Sequence, residues 1–394
     1  MHLIQQIQNE LSSKSLDGWL FYDFRGTNIL MRRILKLPEN QVLTRRYLYY
    51  VPAIGEPVKI VHKIEAGNLD TLPGDKRTYS SWQDYEMAIH HTLPRGSRVA
   101  MEFSPKNAIP YVSRVDAGTV DMIREFGVEV VSSADLVQLF EAVWDDYKWE
   151  THQRAAKLVI ETKDEAFNFI REKITAKEQL TEYDVQQFIL QKFEEKDLYT
   201  DHSPIVAVNG NSGNPHYEPQ IDKHDEIKEN DFVLIDLWAK TKEKGSVFAD
   251  YTWTGFVGTE VPEEHSKIFE IVAGARDTAV EFLKSQFSKG QFVAGWEVDR
   301  ITRKYIIEHG YGDKFIHRTG HSIGEEDHGN GANIDDLENH DTRQILPQTC
   351  FSIEPGIYLD KFGVRSEINV FITKDREVIE TGTPKQIEVL KILS

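Results

Sequence analysis

Over the first 145 residues, short apolar runs alternate with helical or turn-rich stretches. Gly18–Tyr22, Tyr47–Val51, Val58–Val61, Val99–Met101 and Val128–Val131 each have the length and composition of a strand. Their spacing predicts a small α/β domain over 1–145. From Asp145 to about Thr175 the period lengthens, and Ala155, Leu158, Val159, Ala166, Phe169 and Ile170 fall at helical spacing. A connecting helix there would open a second domain over 146–394. Thr181-Glu-Tyr-Asp184 has the form of a capping box, with Val185, Phe188, Ile189 and Phe193 on one face behind it. Two further helices are predicted over 266–287 and 296–309, the second stopped by Gly310. No internal repeat or low-complexity segment appears.

Composition narrows the function classes. The chain has 394 residues, 46 Lys plus Arg against 64 Asp plus Glu, and a net charge of -18. A nucleic-acid or anionic-membrane surface would carry the opposite sign. No G-x-G-x-x-G or P-loop supports a nucleotide domain. The single cysteine, Cys350, excludes an internal disulfide and a cysteine-based zinc cluster, and suits a reducing compartment. The N-terminus lacks a basic start followed by an apolar core, and no run reaches the roughly 18 apolar residues of a membrane span. The expected location is the cytoplasm, with no membrane partner.

Candidate chemistry lies in two β-ribbons. Phe232–Trp238 and Val247–Trp253 flank the polar turn Lys240–Gly245, and pairing symmetric about residue 243 would set Asp236 directly opposite Asp250. Cys350–Tyr358 and Val364–Ile372 flank a turn at Asp360–Gly363, which sets Glu354 opposite Glu367. Like charges across a ladder repel, and an isolated ionised carboxylate is too costly to bury in an apolar strand. Two divalent cations would cancel four such charges, in the arrangement used for hydrolysis by a bridging water. Between the ribbons, His321 is flanked by Gly320 and Gly324, which let it approach a metal closely. One imidazole with four carboxylates favours Mn²⁺, Co²⁺, Fe²⁺ or catalytic Zn²⁺ over a structural zinc. Gly320-His-Ser-Ile-Gly324 also matches the serine-hydrolase elbow, but the polar, glycine-rich stretch after it is no helix. H-E-x-x-H is absent.

The order Asp, Asp, His, Glu, Glu in LIDLWAK, VFADYTWTG, HRTGHSIG, SIEPGIY and VRSEINV resembles the pita-bread dinuclear metallopeptidases, which include aminopeptidase P, prolidase and methionine aminopeptidase. The resemblance implies an α+β chain, with a curved antiparallel sheet backed by helices behind a smaller α/β N-terminal domain of the creatinase and prolidase type. It makes Asp236, Asp250, His321, Glu354 and Glu367 the ligands of two divalent ions, Mn²⁺ first among the candidates, with Asp250 and Glu367 bridging. Glu354 matches the general base. His216 and His328 match histidines that hold substrate and steady the tetrahedral intermediate, and His317 and Arg365 join them as substrate-binding residues. The implied activity is hydrolysis of the bond preceding proline in a dipeptide or at a peptide N-terminus, by a metal-bridging hydroxide. Implied partners are a short proline-containing peptide and a second copy of the chain in a homodimer. Alternatives are another creatinase-like hydrolase or lyase, or a non-catalytic peptide-binding protein. Some positions depart from the family pattern. The loop between the two aspartates is longer than usual, Trp238 stands where Gly is common, Trp253 where many members have Arg, and Ile368 where an acid often follows the last Glu. These changes are expected to reshape the pocket.

Overall fold

The computed structural model describes residues 3–38 and 42–394. The chain divides into two compact units, one ending at Glu141 and the other running from Ala142 to Ser394.

The first unit contains α1 (Leu3–Ser13), β1 (Gly18–Phe24), α2 (Ile29–Ile34), β2 (Arg46–Pro52), β3 (Val58–His62), β4 (Asp75–Tyr79), α3 (Trp82–His90), β5 (Arg98–Met101), α4 (Ala117–Glu125), β6 (Glu129–Ser132) and α5 (Ala134–Glu141). Its strands form one mixed sheet in the order β4-β3-β2-β1-β5-β6. Alternation along β1 fills both sides of that sheet: Trp19 and Phe21 pack with α1 and α2, while Leu20 and Tyr22 pack with α3 and α4. β4 is the strand that hydrophobic pattern misses. It lies at the sheet edge, where only Tyr79 is buried, so Asp-Lys-Arg-Thr-Tyr needs no apolar run.

The second unit contains α6 (Asp146–Thr175), α7 (Glu182–Glu195), β7 (Leu198–Tyr199), β8 (Ile205–Val208), β9 (Phe232–Thr241), β10 (Ala249–Phe256), α8 (Glu263–Ser288), α9 (Gly295–Glu308), β11 (Ser322–Ile323), β12 (Cys350–Ile353), β13 (Gly356–Tyr358), β14 (Gly363–Arg365), β15 (Ile368–Ile372), β16 (Val378–Thr381) and β17 (Leu390–Lys391). The side chain of Asp145 caps α6 by accepting from the Lys148 N–H, and Thr181 and Asp184 form the capping box of α7. α6 lies across one face of β9 and β10, where Ala155, Val159 and Ile170 pack on Val233, Ile235, Leu237, Tyr251 and Trp253. By strand alternation Asp236, Trp238, Asp250 and Thr252 face the other way. α8 and α9 cover the second sheet, with Leu283 and Val298 in one core with Phe351, Ile353, Val370 and Ile372. The sheets join between β10 and β15. Asp250 N–H donates to Asn369 Oδ1 (2.9 Å), Asn369 Nδ2 returns to Asp250 O (2.7 Å), and Glu367 N–H donates to Thr252 O (3.3 Å). The product is a two-unit α+β fold whose largely antiparallel second part has helices at its back and acids on its inner face. Among the described residues no helix is long and apolar enough to cross a membrane.

The registers of the two ribbons differ in how far they follow symmetry. In the second, β12–β15 and β13–β14 share one register, with Ile353 opposite Ile368 and Gly356 opposite Arg365, so Glu354 falls opposite Glu367 in the gap between the ladders. In the first, Asp236 pairs with Thr252 and Asp250 with Trp238, so the two aspartates are diagonal and not directly opposed. The loop is the cause. Val247 and Phe248 leave the ladder to pack with Trp144, Ile323 and Cys350, and Phe248 N–H donates to Gly324 O (2.9 Å).

Candidate metal centre

Each candidate ligand is held by a strand or by a turn tied to one. Asp236 and Asp250 project from β9 and β10, and Glu354 and Glu367 follow β12 and precede β15. His321 precedes β11, where its N–H donates to Ser352 Oγ (2.9 Å) and its carbonyl accepts from Ser352 N–H (2.9 Å). Gly320 permits this approach, since a Cβ there would lie 2.0 Å from the Ser352 carbonyl oxygen.

The side chains converge. His321 Nε2 lies 3.5 Å from Asp250 Oδ2 and 3.5 Å from Glu354 Oε1. Ligand atoms of Asp250, His321 and Glu367 lie within 4.8 Å of one another. Asp236 joins through two links: Thr252 Oγ1 is 3.0 Å from Asp236 Oδ1 and 2.8 Å from Glu367 Oε2, and Arg365 Nη2 pairs with Asp236 Oδ2. Ser352 Oγ donates to Glu354 Oε1 (3.1 Å).

The electrostatics of this cluster call for cations. Burial, then the charges of Glu367, Asp327, Asp236 and Glu354, hold the Asp250 carboxyl well above the usual range. Burial and the neighbouring acids Glu354 and Asp236 do the same to Glu367. Burial also pushes Glu354 up to about 7, against the opposing pull of Arg365. His321 is driven well below its ordinary value, first by burial and then by the positive charges of His328 and Arg318. It is therefore neutral. With Nδ1–H donating to Ser322 O (3.2 Å), Nε2 presents a lone pair to two carboxylates. Asp250 Oδ1 and Glu367 Oε1 are buried without a hydrogen-bond partner. Buried carboxyls that resist ionisation, beside a neutral imidazole lone pair and two unpartnered carboxyl oxygens, are groups whose ionised forms positive ions would stabilise, and this donor set suits hard or borderline divalent ions.

The other predicted residues lie around this cluster. Arg365 is spent inside the protein, donating to Asp236, to Thr252 Oγ1 (2.9 Å) and to Tyr358 Oη (3.3 Å). Both nitrogens of His317 are engaged, Nδ1 with Arg318 O (2.7 Å) and Nε2 with Tyr358 Oη (2.8 Å). His328 lies tilted beside His321 with ring centroids 4.2 Å apart, and its own side chain is exposed. His216 is exposed on the turn after β8. Ser322 lies in β11 with no helix after it, and its hydroxyl accepts from Gly331 N–H (2.9 Å), so the serine-hydrolase elbow is absent. Two departures from the family pattern turn away from the acids. Trp253 packs under α6 with Lys163 Nζ 3.4 Å from its ring centre, and Ile368 enters the core under α8, contrary to their expected effect on the pocket. Thr252, Ser352 and Asn369 were not singled out from sequence. Each lies two positions from a ligand on the same strand face, so strand parity was the signal that could have found them.

Residues 150–374 match metallopeptidase family M24. The chain belongs to that family. This M24 chain is 33% identical over 202 residues to the Xaa-Pro dipeptidase of Lactobacillus delbrueckii subsp. lactis, a match covering 51% of the chain and 50% of that enzyme. The chain thus spans about half the length of that relative. The solved prolidase from Thermococcus sibiricus superimposes with a TM-score of 0.65 at 24% identity, over 98% of each chain. The X-prolyl aminopeptidase of Caenorhabditis elegans, described as a cytosolic enzyme with a di-nuclear active site, gives 0.67 at 16% identity, over 99% of this chain and 63% of its own. The fold of this M24 chain is accordingly the pita-bread fold of the prolidases.

Proposed function

We propose that this M24 chain hydrolyses the peptide bond preceding proline in dipeptides or at the N-terminus of short peptides, using two divalent cations held by Asp236, Asp250, His321, Glu354 and Glu367. The observation that carries this reading is the neutral His321 Nε2 facing Asp250 and Glu354 beside two unpartnered carboxylate oxygens. The Xaa-Pro dipeptidase relative supports the substrate class. When bound, such ions, Mn²⁺ foremost, supply Lewis acidity and lower the pKa of water toward neutrality. Glu354, held by Ser352 Oγ, takes the proton of the attacking water on its carboxylate and passes it to the departing proline nitrogen. His216 and His328, the exposed imidazoles of the set, hold the peptide and donate to the oxygen that gains charge. Arg365 and His317 act by position: Arg365 fixes Asp236 and Thr252, and His317 fixes Tyr358, which accepts from Arg365. The proposal extends to the implied homodimer and cytoplasmic location.

The test strips the protein with a chelator, restores Mn²⁺, Co²⁺, Zn²⁺ or Fe²⁺ singly, and follows Xaa-Pro and Xaa-Pro-Yaa peptides by mass spectrometry. Hydrolysis is expected to return with metal, and Asp236→Asn is expected to lie at least about 100-fold lower. No recovery with any of the four metals overturns the reading.

A further inference from the structure

One carboxylate at the rim of this site has no role in the proposed ligand set. Asp327 is only 8% exposed, and its Oδ1 is buried with no hydrogen-bond partner. Its Oδ2 lies 3.8 Å from His328 Nε2, and ligand atoms of Asp327, His328 and His321 lie within 4.8 Å of one another. Burial, then the negative charges of Asp201, Asp236 and Glu354, hold its carboxyl well above the ordinary range, with Arg318 the opposing positive charge. Asp201, the first of those acids, is partnered by Trp238. This indole projects from the acid-bearing face of β9, directly opposite Asp250 in register, and its Nε1 donates to Asp201 Oδ1 (2.8 Å).

A buried acid with an unpartnered oxygen, a second acid at the rim and a half-buried aromatic ring are the groups that recognise an organic cation on an apolar stem. A third metal ion fits worse. His321 Nε2 is already directed at Asp250 and Glu354, which leaves Asp327 and His328 as its ligands. We propose that Asp327, with Asp201 and Trp238, binds the side chain of the residue before the scissile bond, and that this side chain is the cation of arginine or lysine. This rests on the peptidase reading above and names the substrate class within it.

The test measures kcat and KM for Arg-Pro, Lys-Pro and norleucine-Pro with the metal-loaded full chain, its Asp327→Asn and Asp201→Asn variants, and the metal content of each. Norleucine keeps the α-ammonium and the straight stem but lacks the terminal charge. The natural chain is expected to prefer Arg-Pro and Lys-Pro over norleucine-Pro by about tenfold or more in kcat/KM. Asp327→Asn is expected to erase that preference, chiefly through KM, at unchanged metal content. Asp201→Asn, at the exposed rim, moves the ratio the same way by less and serves if Asp327→Asn does not fold. Equal rates on all three substrates overturn the proposal. So does an Asp327→Asn variant that loses all three alike, which assigns Asp327 to the α-ammonium, or one that loses metal. If no Xaa-Pro peptide is cleaved but Arg-Ala is preferred over norleucine-Ala with the same dependence on Asp327, the pocket stands and the proline reading falls. Hydrolysis of neither series overturns both.

Discussion

Glu102, just after β5, is fully buried and accepts from three neutral donors: Trp19 Nε1 (2.6 Å), Asn28 Nδ2 (2.8 Å) and Ser133 Oγ (3.3 Å). Those bonds favour the charged form, but burial outweighs them and pushes the carboxyl up to about 7. An acid whose pKa is raised by folding binds more protons in the native state than in the unfolded chain. Its contribution is therefore greatest below the unfolded pKa and is lost as pH rises toward the folded one. Between about pH 4.5 and 7 this should remove on the order of 3 kcal/mol of stability. Glu102→Gln should flatten that slope, as read from urea unfolding at pH 5 and 7.5; an unchanged slope would show that Glu102 is not its source. The residue scale also separates apparently similar departures from the family pattern. Trp238 and Trp253 are both strand tryptophans, but alternation sends one to the acids and the other to α6.

At the scale of elements, the turn that follows β8 and carries His216 is organised by an acid from α7. Glu182 is fully buried and accepts from Val208 N–H (2.7 Å), Asn211 Nδ2 (3.0 Å), Tyr217 Oη (2.5 Å) and Asp225 N–H (2.7 Å). Four donors around one carboxylate fix both ends of the segment from 208 to 225. In Glu182→Gln, an NH₂ group must face donors, at a cost of about 1–3 kcal/mol. Amide exchange across that segment should accelerate while β9 and β10 stay protected. Uniform acceleration throughout the second unit would instead make Glu182 a general core residue. Ribbon geometry belongs to this scale too. The second ribbon keeps the register its symmetry predicts because its turn is short. The first is displaced because Val247 and Phe248 serve another core.

For the molecule as a whole, the acids at the centre make stability and metal binding one problem. Without a cation, Asp250 and Glu367 have carboxyls held well above the ordinary range by burial and by each other's neighbours. The sign is that of Glu102: the stripped protein should lose stability as pH rises from about 4 through neutrality, where ionisation would leave unpaired buried charges. Cations bound there would remove the penalty. Added Mn²⁺ should raise Tm, and by more at pH 8 than at pH 5.5, because binding displaces protons. Thermal unfolding of chelated and metal-loaded protein at both values tests this, and a larger Mn²⁺ shift at pH 5.5 would contradict it.

Local periodicity made much of this protein legible from sequence. Strand parity and the flanking turns place Asp236 and Asp250 on one face and Glu354 opposite Glu367, apolar spacing marks α6 and a capping box starts α7, because these properties depend on neighbours a few residues away. The edge strand β4 was not legible, since an edge needs no apolar run. What only the tertiary structure decided concerns residues far apart in the chain. His321 meets Asp250 and Glu354 only because β11 pairs with β12 and β10 is bound to β15. The buried, unpartnered oxygen of Asp327 is likewise invisible in sequence, since whether an acid finds a donor depends on which surfaces close over it.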